Sequence, residues 1–166
     1  MPHSIPVSQV MTSPTDWTLL RAHTPIRDAI SILRILNEDE KLERGHTTPL
    51  VLDDEYHLLG LVRLTDLLGS IRHLCDDPER ACKLDEAVQP VSELVIQFPG
   101  SVEPEDGILK ALDIMLDHGV SLVPVLKEDK LQGIVHLGVM FDTIAAVLFD
   151  EDAMEARSRI AKYLHL

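Results

Sequence analysis

Residues 58–66 read Leu58-Leu59-Gly60-Leu61-Val62-Arg63-Leu64-Thr65-Asp66, and residues 131–139 read Leu131-Gln132-Gly133-Ile134-Val135-His136-Leu137-Gly138-Val139. Each stretch sets a glycine inside an apolar run and ends that run on a polar residue, Arg63 or His136. The period then changes: Leu64, Leu67, Leu68 and Ile71 in the first copy, and Met140, Phe141, Ile144, Ala145 and Leu148 in the second, fall at helical spacing. Upstream lie Pro49-Leu50-Val51-Leu52 with the polar turn Asp53 to His57, and Pro124-Val125-Leu126 with the turn Lys127 to Lys130. Strand, polar turn, strand predicts a β-hairpin, and strands this apolar are expected to be covered on both faces.

A helix precedes each hairpin. Ile26, Ala29, Ile30, Leu33 and Leu36 form one apolar face, and Ile108, Ala111, Leu112, Met115 and Leu116 form another. Thr24-Pro25 reads as a helix start, with a hydroxyl N-cap followed by a residue whose missing N–H is harmless there; Asp106 matches Thr24 and reads the same way. The unit helix, strand, strand, helix is therefore given twice, which makes an internal repeat the first organising fact. Ala29 to Ala111 is 82 residues and Gly60 to Gly133 is 73. Most of the extra length falls in the polar stretch Asn37 to Gly45, expected as a longer helix end and an exposed loop. The expected divisions are 1–74 for the first repeat, 75–89 for a polar connector with helix around Glu79 to Val88, and 90–149 for the second repeat. A charged C-terminal helix follows at 150–166, with an apolar stripe at Met154, Ile160, Ala161 and Leu164.

Composition bounds the partners. The 28 acidic residues against 15 basic ones give a formal charge of −13, a surface that repels phosphate backbones and anionic membranes, so neither nucleic acid nor membrane is an expected partner. Aromatics at 4% make the core aliphatic. No run approaches 18 apolar residues, and Met1 to Met11 carries no basic region ahead of an apolar one, so neither a span nor a secretory signal is expected. Cys75 and Cys82 suit neither a zinc knuckle nor a redox pair; two reduced thiols in a cytoplasmic protein are expected. The eight histidines form no metal-binding motif, and no nucleophile–base order or phosphate loop appears, so neither a metal site nor catalysis is expected.

The run Val7-Ser8-Gln9-Val10-Met11-Thr12 resembles the lead-in of a CBS domain, and Val91-Ser92-Glu93-Leu94-Val95 is similar to the same lead-in in a second copy. Pro49 to Asp66 and Pro124 to Val139 resemble that family's hairpin–helix junction. The resemblance implies an α+β fold in which two βαββα-like repeats pack with pseudo-twofold symmetry, followed here by the C-terminal helix. It further implies a regulatory, non-catalytic module, often a homodimer, holding an adenosine-type ligand such as AMP, ADP, ATP or S-adenosylmethionine between the repeats.

In the family's junction a hydroxyl contacts phosphate and an Asp takes the ribose hydroxyls. Here Asp66 occupies the ribose position, with Thr65 beside it, while Arg63 stands in the hydroxyl position. Two readings of Arg63 stand: a bidentate phosphate ligand, or half of an i, i+3 ion pair with Asp66 that fills the site. In the second copy Val139 replaces the Asp, so no nucleotide is expected there in the family manner; His136 is either a phosphate contact or a buried or capping residue. His23 and Thr24 are further candidates near the cleft, and Met11 and Met115 could touch a base but read as core. Two functions follow: a sensor of an adenosine-type ligand signalling to a protein partner, or an interaction scaffold whose sites have decayed.

Overall fold

The computed structural model describes residues 5–38, 48–76, 86–149 and 153–163. Within them, β1 (Leu19–Arg21), α1 (Ile26–Glu38), β2 (Leu50–Leu52), β3 (Leu58–Leu61) and α2 (Leu64–Ile71) build the first half, and α3 (Ile108–His118), β4 (Leu122–Lys127), β5 (Lys130–His136) and α4 (Leu137–Phe149) the second, before α5 (Ala153–Ile160). The fold is α+β, as the repeat predicts. β1 lies parallel to β2 across α1, and β2 antiparallel to β3. In the second half Val102 bridges Val125 in parallel across α3, and β4 pairs antiparallel with β5. Both hairpins carry one register irregularity at matching places, between Val51 and Leu52 and between Val125 and Leu126. Val51 faces Gly60 as Val125 faces Gly133. Leu50 is therefore the counterpart of Pro124, and matching Pro49 to Pro124 misplaces the first strand by one residue: the glycine pairing, not the proline, sets register.

The lead-ins are exchanged between halves. Val7 N–H donates to the Asp106 carbonyl at 2.7 Å and Val91 N–H to that of Thr24 at 2.9 Å; Ser8 reaches Pro104 at 3.0 Å and Ser92 reaches Ala22 at 3.1 Å. Thr12 and Ile134 exchange both main-chain bonds (2.8 and 3.1 Å), as do Ile96 and Leu61 (2.8 and 3.0 Å). Each lead-in thus completes the open edge of the other half's hairpin. The cores follow suit: Val7 and Val10 are buried among Ile108, Ala111, Met115 and Val125, while Ala87 and Val91 are buried among Ile26, Ala29, Leu33 and Leu67. A third cluster of Trp17, Leu50, Leu122 and Ile134 joins the two sheets. Pairwise correspondence of this kind is the pseudo-twofold arrangement that the repeat implies.

Several expectations need correction. The first amides of α1 are taken by main-chain carbonyls of the connector, Ile26 by Gln89 at 2.9 Å and Arg27 by Ala87 at 3.0 Å, so the Thr24 hydroxyl is not the cap. Asp106 does not cap α3 either; its Oδ2 accepts from Glu103 N–H and Lys110 Nζ, both at 2.7 Å. Leu116 lies exposed rather than in the core, because the buried stripe of α3 is satisfied by Ile108, Ala111 and Met115. Cys75 is disulfide-bonded, which removes the reduced-thiol argument for a cytoplasmic location; zinc and CxxC spacing rules do not address a disulfide, which depends on approach in space. Cys82, most of the Asn37 to Gly45 stretch, residues 79–85 of the connector and Leu164 lie outside the described residues.

The exchange requires main chain to lie on main chain. A Cβ at Gly60, whose φ is +155°, would sit 2.2 Å from the Ile96 carbonyl oxygen, and one at Gly133 would sit 2.8 Å from both the Thr12 oxygen and Met11 Sδ. Gly60→Ala is expected to destabilise the fold by more than about 2 kcal/mol in urea unfolding, whereas Gly69→Ala, on the open face of α2 with nothing within 4 Å, should be neutral or stabilising by up to about 1 kcal/mol.

Candidate functional site

The two hairpin–helix junctions share a backbone and differ in chemistry. At the first, β3 ends and Val62 leads into Arg63, the residue before α2, in extended conformation (φ −82°, ψ 144°). An arginine has no acceptor to cap the helix with, and it makes no capping bond. Instead its guanidinium forks onto Asp66, with Nε to Oδ2 at 2.7 Å and an Nη to Oδ1 at 3.0 Å. Arg63 is 61% exposed and Asp66 27%. The bonds from Arg63 hold the Asp66 carboxyl below its usual range, and the Arg63 guanidinium is correspondingly raised. Asp66 and Leu67 N–H both return to the Arg63 carbonyl, at 3.0 and 3.2 Å. The amides of Leu64 and Thr65 have no acceptor among the described residues, and the Thr65 side chain is exposed above them.

The second junction is closed. Leu137 N–H donates to the Ser121 carbonyl at 2.8 Å, and Gly138 N–H donates to His136 Nδ1 at 3.0 Å. His136 therefore caps α4, and the capping reading of that residue is the one the geometry favours. Accepting at Nδ1 leaves the neutral ring its N–H at Nε2. A Cβ at position 138 would come within 3.1 Å of the capping nitrogen, so the glycine there makes room for the imidazole. Val139 stands where Asp66 stands in the first half and offers no acceptor.

The other candidates are placed elsewhere. His23 Nδ1 lies 3.3 Å from Asp54 on the turn between β2 and β3, at the other end of β3 from Arg63. That turn is organised by Asp53, whose Oδ1 accepts the amides of Glu55 and His57 at 2.8 and 2.9 Å and whose Oδ2 meets His57 Nδ1 at 3.1 Å; these bonds lower its pKa. Arg21 stacks on Tyr56 with its guanidinium carbon 3.9 Å from the ring centroid. Thr24 gives its carbonyl to Val91, and its hydroxyl bonds to nothing among the described residues; it is not hydrogen-bonded to Arg63, Thr65 or Asp66. Met115 is core, and Met11 packs on that core beside Gly133. Sequence reading missed the contrast between open amides at α2 and closed amides at α4. For one amide the signal was present in Arg63 against His136, a residue that cannot cap against one that can; the bond from Leu137 to the Ser121 carbonyl had no sequence signal.

The model of the CBS domain family matches residues 7–73 and 91–146. No curated protein matches the chain. Among solved structures, CBSX2 in complex with AMP is 22% identical, with a TM-score of 0.62 over 86% of this chain and 98% of that one. A putative acetoin utilization protein (AcuB) from Vibrio cholerae is 25% identical, with a TM-score of 0.60 over 88% and 93%. CbpB in complex with c-di-AMP is 12% identical, with a TM-score of 0.65 over 89% of each chain.

Removing the α4 cap by His136→Ala should lower stability by about 1 kcal/mol in chemical denaturation, and His136→Asn should restore most of it. Asp53, Asp66, Glu105 and Asp106 are all held below the usual carboxylate range by hydrogen bonds. Depressed carboxyls stabilise the fold fully above their ordinary pKa and lose that contribution as pH falls through the depressed values. Melting temperature should therefore hold down to about pH 5 and fall progressively below about pH 4. Asp106→Asn should flatten that fall.

Proposed function

Because this chain belongs to the CBS domain family, with the family model spanning both halves, we propose that it is a regulatory, non-catalytic CBS pair binding one adenosine-type ligand beside Asp66 and signalling to a protein partner. The observation that carries the reading is the asymmetry of the junctions. Only the first presents a carboxylate, a guanidinium and two unengaged main-chain donors at the surface; the second spends its amides internally. A carboxylate accepts both hydroxyls of a cis-diol, and donors beside a guanidinium suit phosphate. In this reading Asp66 holds the ribose, and Arg63 and Thr65 lie toward the phosphate. Thr24 adds a hydroxyl at the edge of the same half, and His136 keeps only Nε2 for any contact in the other. AMP bound to CBSX2 and c-di-AMP bound to CbpB, both on this fold, support an adenine ligand class.

A second reading is favoured by the same ion pair: Arg63 and Asp66 satisfy each other, so the module could serve as a scaffold with no small ligand. A thermal-shift panel separates the two. A ligand of the folded state at a hundred times its Kd raises stability by about 2.7 kcal/mol, so AMP, ADP, ATP or S-adenosylmethionine should shift the melt, and a flat panel supports the scaffold. In calorimetry Asp66→Ala should weaken binding roughly ten- to a hundredfold, and Val139→Ala should leave it unchanged. Equal affinity in the Asp66 variant defeats the assignment.

Homodimerisation belongs to the same proposal. Leu68 on α2 is 61% exposed, and Phe141 and Leu148 on α4 are 74% and 65% exposed, more apolar surface than one helix face ordinarily leaves in water. Sedimentation should give twice the 18.5 kDa chain mass; a monomer at micromolar concentration refutes it.

A further inference from the structure

The fork of Arg63 onto Asp66 uses both carboxylate oxygens, at 2.7 and 3.0 Å. Those are the same oxygens a ribose diol would need, so guanidinium and sugar compete for one acceptor. We infer that the Arg63–Asp66 ion pair is a selectivity latch that favours adenosine-type ligands carrying phosphate over those without it. This rests on the nucleotide reading above and narrows its ligand class.

Binding at this site is an exchange of partners. A neutral nucleoside that took Asp66 would strip Arg63 of its counter-charge and return nothing. S-adenosylmethionine carries a carboxylate, but with a sulfonium and an ammonium beside it, so its methionine end brings net positive charge to a guanidinium deprived of its partner. A phosphate instead offers the guanidinium oxygens in the geometry its planar fork matches, so Asp66 passes to the diol while Arg63 passes to the phosphate, and no charged group is left unpaired. The latch can open. Arg63 is 61% exposed, and pairs so placed are weak. Its side chain makes no capping bond to α2, so the guanidinium can move without disturbing the helix start. The amides of Leu64 and Thr65, without an acceptor among the described residues, lie on the same turn. The second junction has no counterpart: Val139 offers no carboxylate, and its amides are already bonded.

Calorimetry of the full chain with AMP, adenosine and S-adenosylmethionine tests this on the parent, Arg63→Gln and Arg63→Lys, each first shown to be folded by circular dichroism. The parent should bind AMP at least tenfold more tightly than either other ligand. In Arg63→Gln, AMP should weaken roughly tenfold while adenosine improves up to about fivefold, the release of an exposed ion pair, so the preference disappears. Arg63→Lys, which keeps charge but not the fork, should fall between. Adenosine within threefold of AMP on the parent, or an AMP preference that survives Arg63→Gln, overturns the latch while leaving the nucleotide reading intact. If neither the parent nor Arg63→Gln binds any of the three, the nucleotide reading itself falls and the latch with it.

Discussion

The molecule depends on two places where main chain lies directly on main chain. At one, Gly60 approaches the Ile96 carbonyl; at the other, Gly133 approaches that of Thr12. Hydrophobic burial is strong but non-directional, and would not by itself decide which lead-in covers which hairpin. The paired main-chain bonds at Leu61 and Ile96, and at Ile134 and Thr12, supply that direction. They form only where a residue lacking a side chain lets the strands meet. Because each lead-in finishes the other half's sheet and enters its core, neither half owns a complete hydrophobic interior. The cluster at Trp17, Leu50, Leu122 and Ile134 then closes the space between the sheets.

On that near-symmetric frame the two junctions diverge in side chains, Arg63 against His136 and Asp66 against Val139, and in the main-chain bond from Leu137 to Ser121. His136 bends back and accepts a helix amide, which seals α4. The Arg63 side chain can accept nothing, so the Thr65 amide finds no cap in it, while the Leu64 amide lacks among the described residues the main-chain acceptor that Ser121 gives Leu137; the guanidinium turns onto a carboxylate instead. The backbone is shared because the glycine register and the lead-in bonds are shared. The chemistry differs because a helix start imposes a demand for acceptors, and the two residues answer it in opposite ways. The first junction keeps a carboxylate and a guanidinium where the second has a valine and a capping imidazole.

Outer helix faces show where composition and packing part company. The apolar residues of α2 and α4 outnumber what one side of packing uses: Leu67 and Met140 are buried, while Leu68, Phe141 and Leu148 face outward. The described part of α5 is similar, with Met154 exposed and Ile160 half-buried, so its apolar stripe is only partly covered within the chain. No helix among the described residues is long and apolar enough to cross a membrane.

The duplicated glycine, the change from strand to helix spacing after Arg63 and His136, and the matched apolar faces of α1 and α3 determined the α+β repeat from sequence alone, because periodicity is written in neighbouring residues. So was the contrast between Asp66 and Val139, a matter of side-chain identity at one position. The exchange of lead-ins, the loss of Thr24 and Asp106 as caps, the bond at Cys75 and the one-residue offset of Pro49 were decided only in three dimensions. At α1 partners far along the chain reached the group first, Gln89 and Ala87 taking the amides before Thr24 could; at Asp106 the nearer Glu103 and Lys110 took the carboxylate; and Gly60 opposite Val51 set a register that the proline could not. The Arg63–Asp66 pair is local, an i, i+3 spacing with an extended backbone at Arg63 that lets the fork reach Asp66.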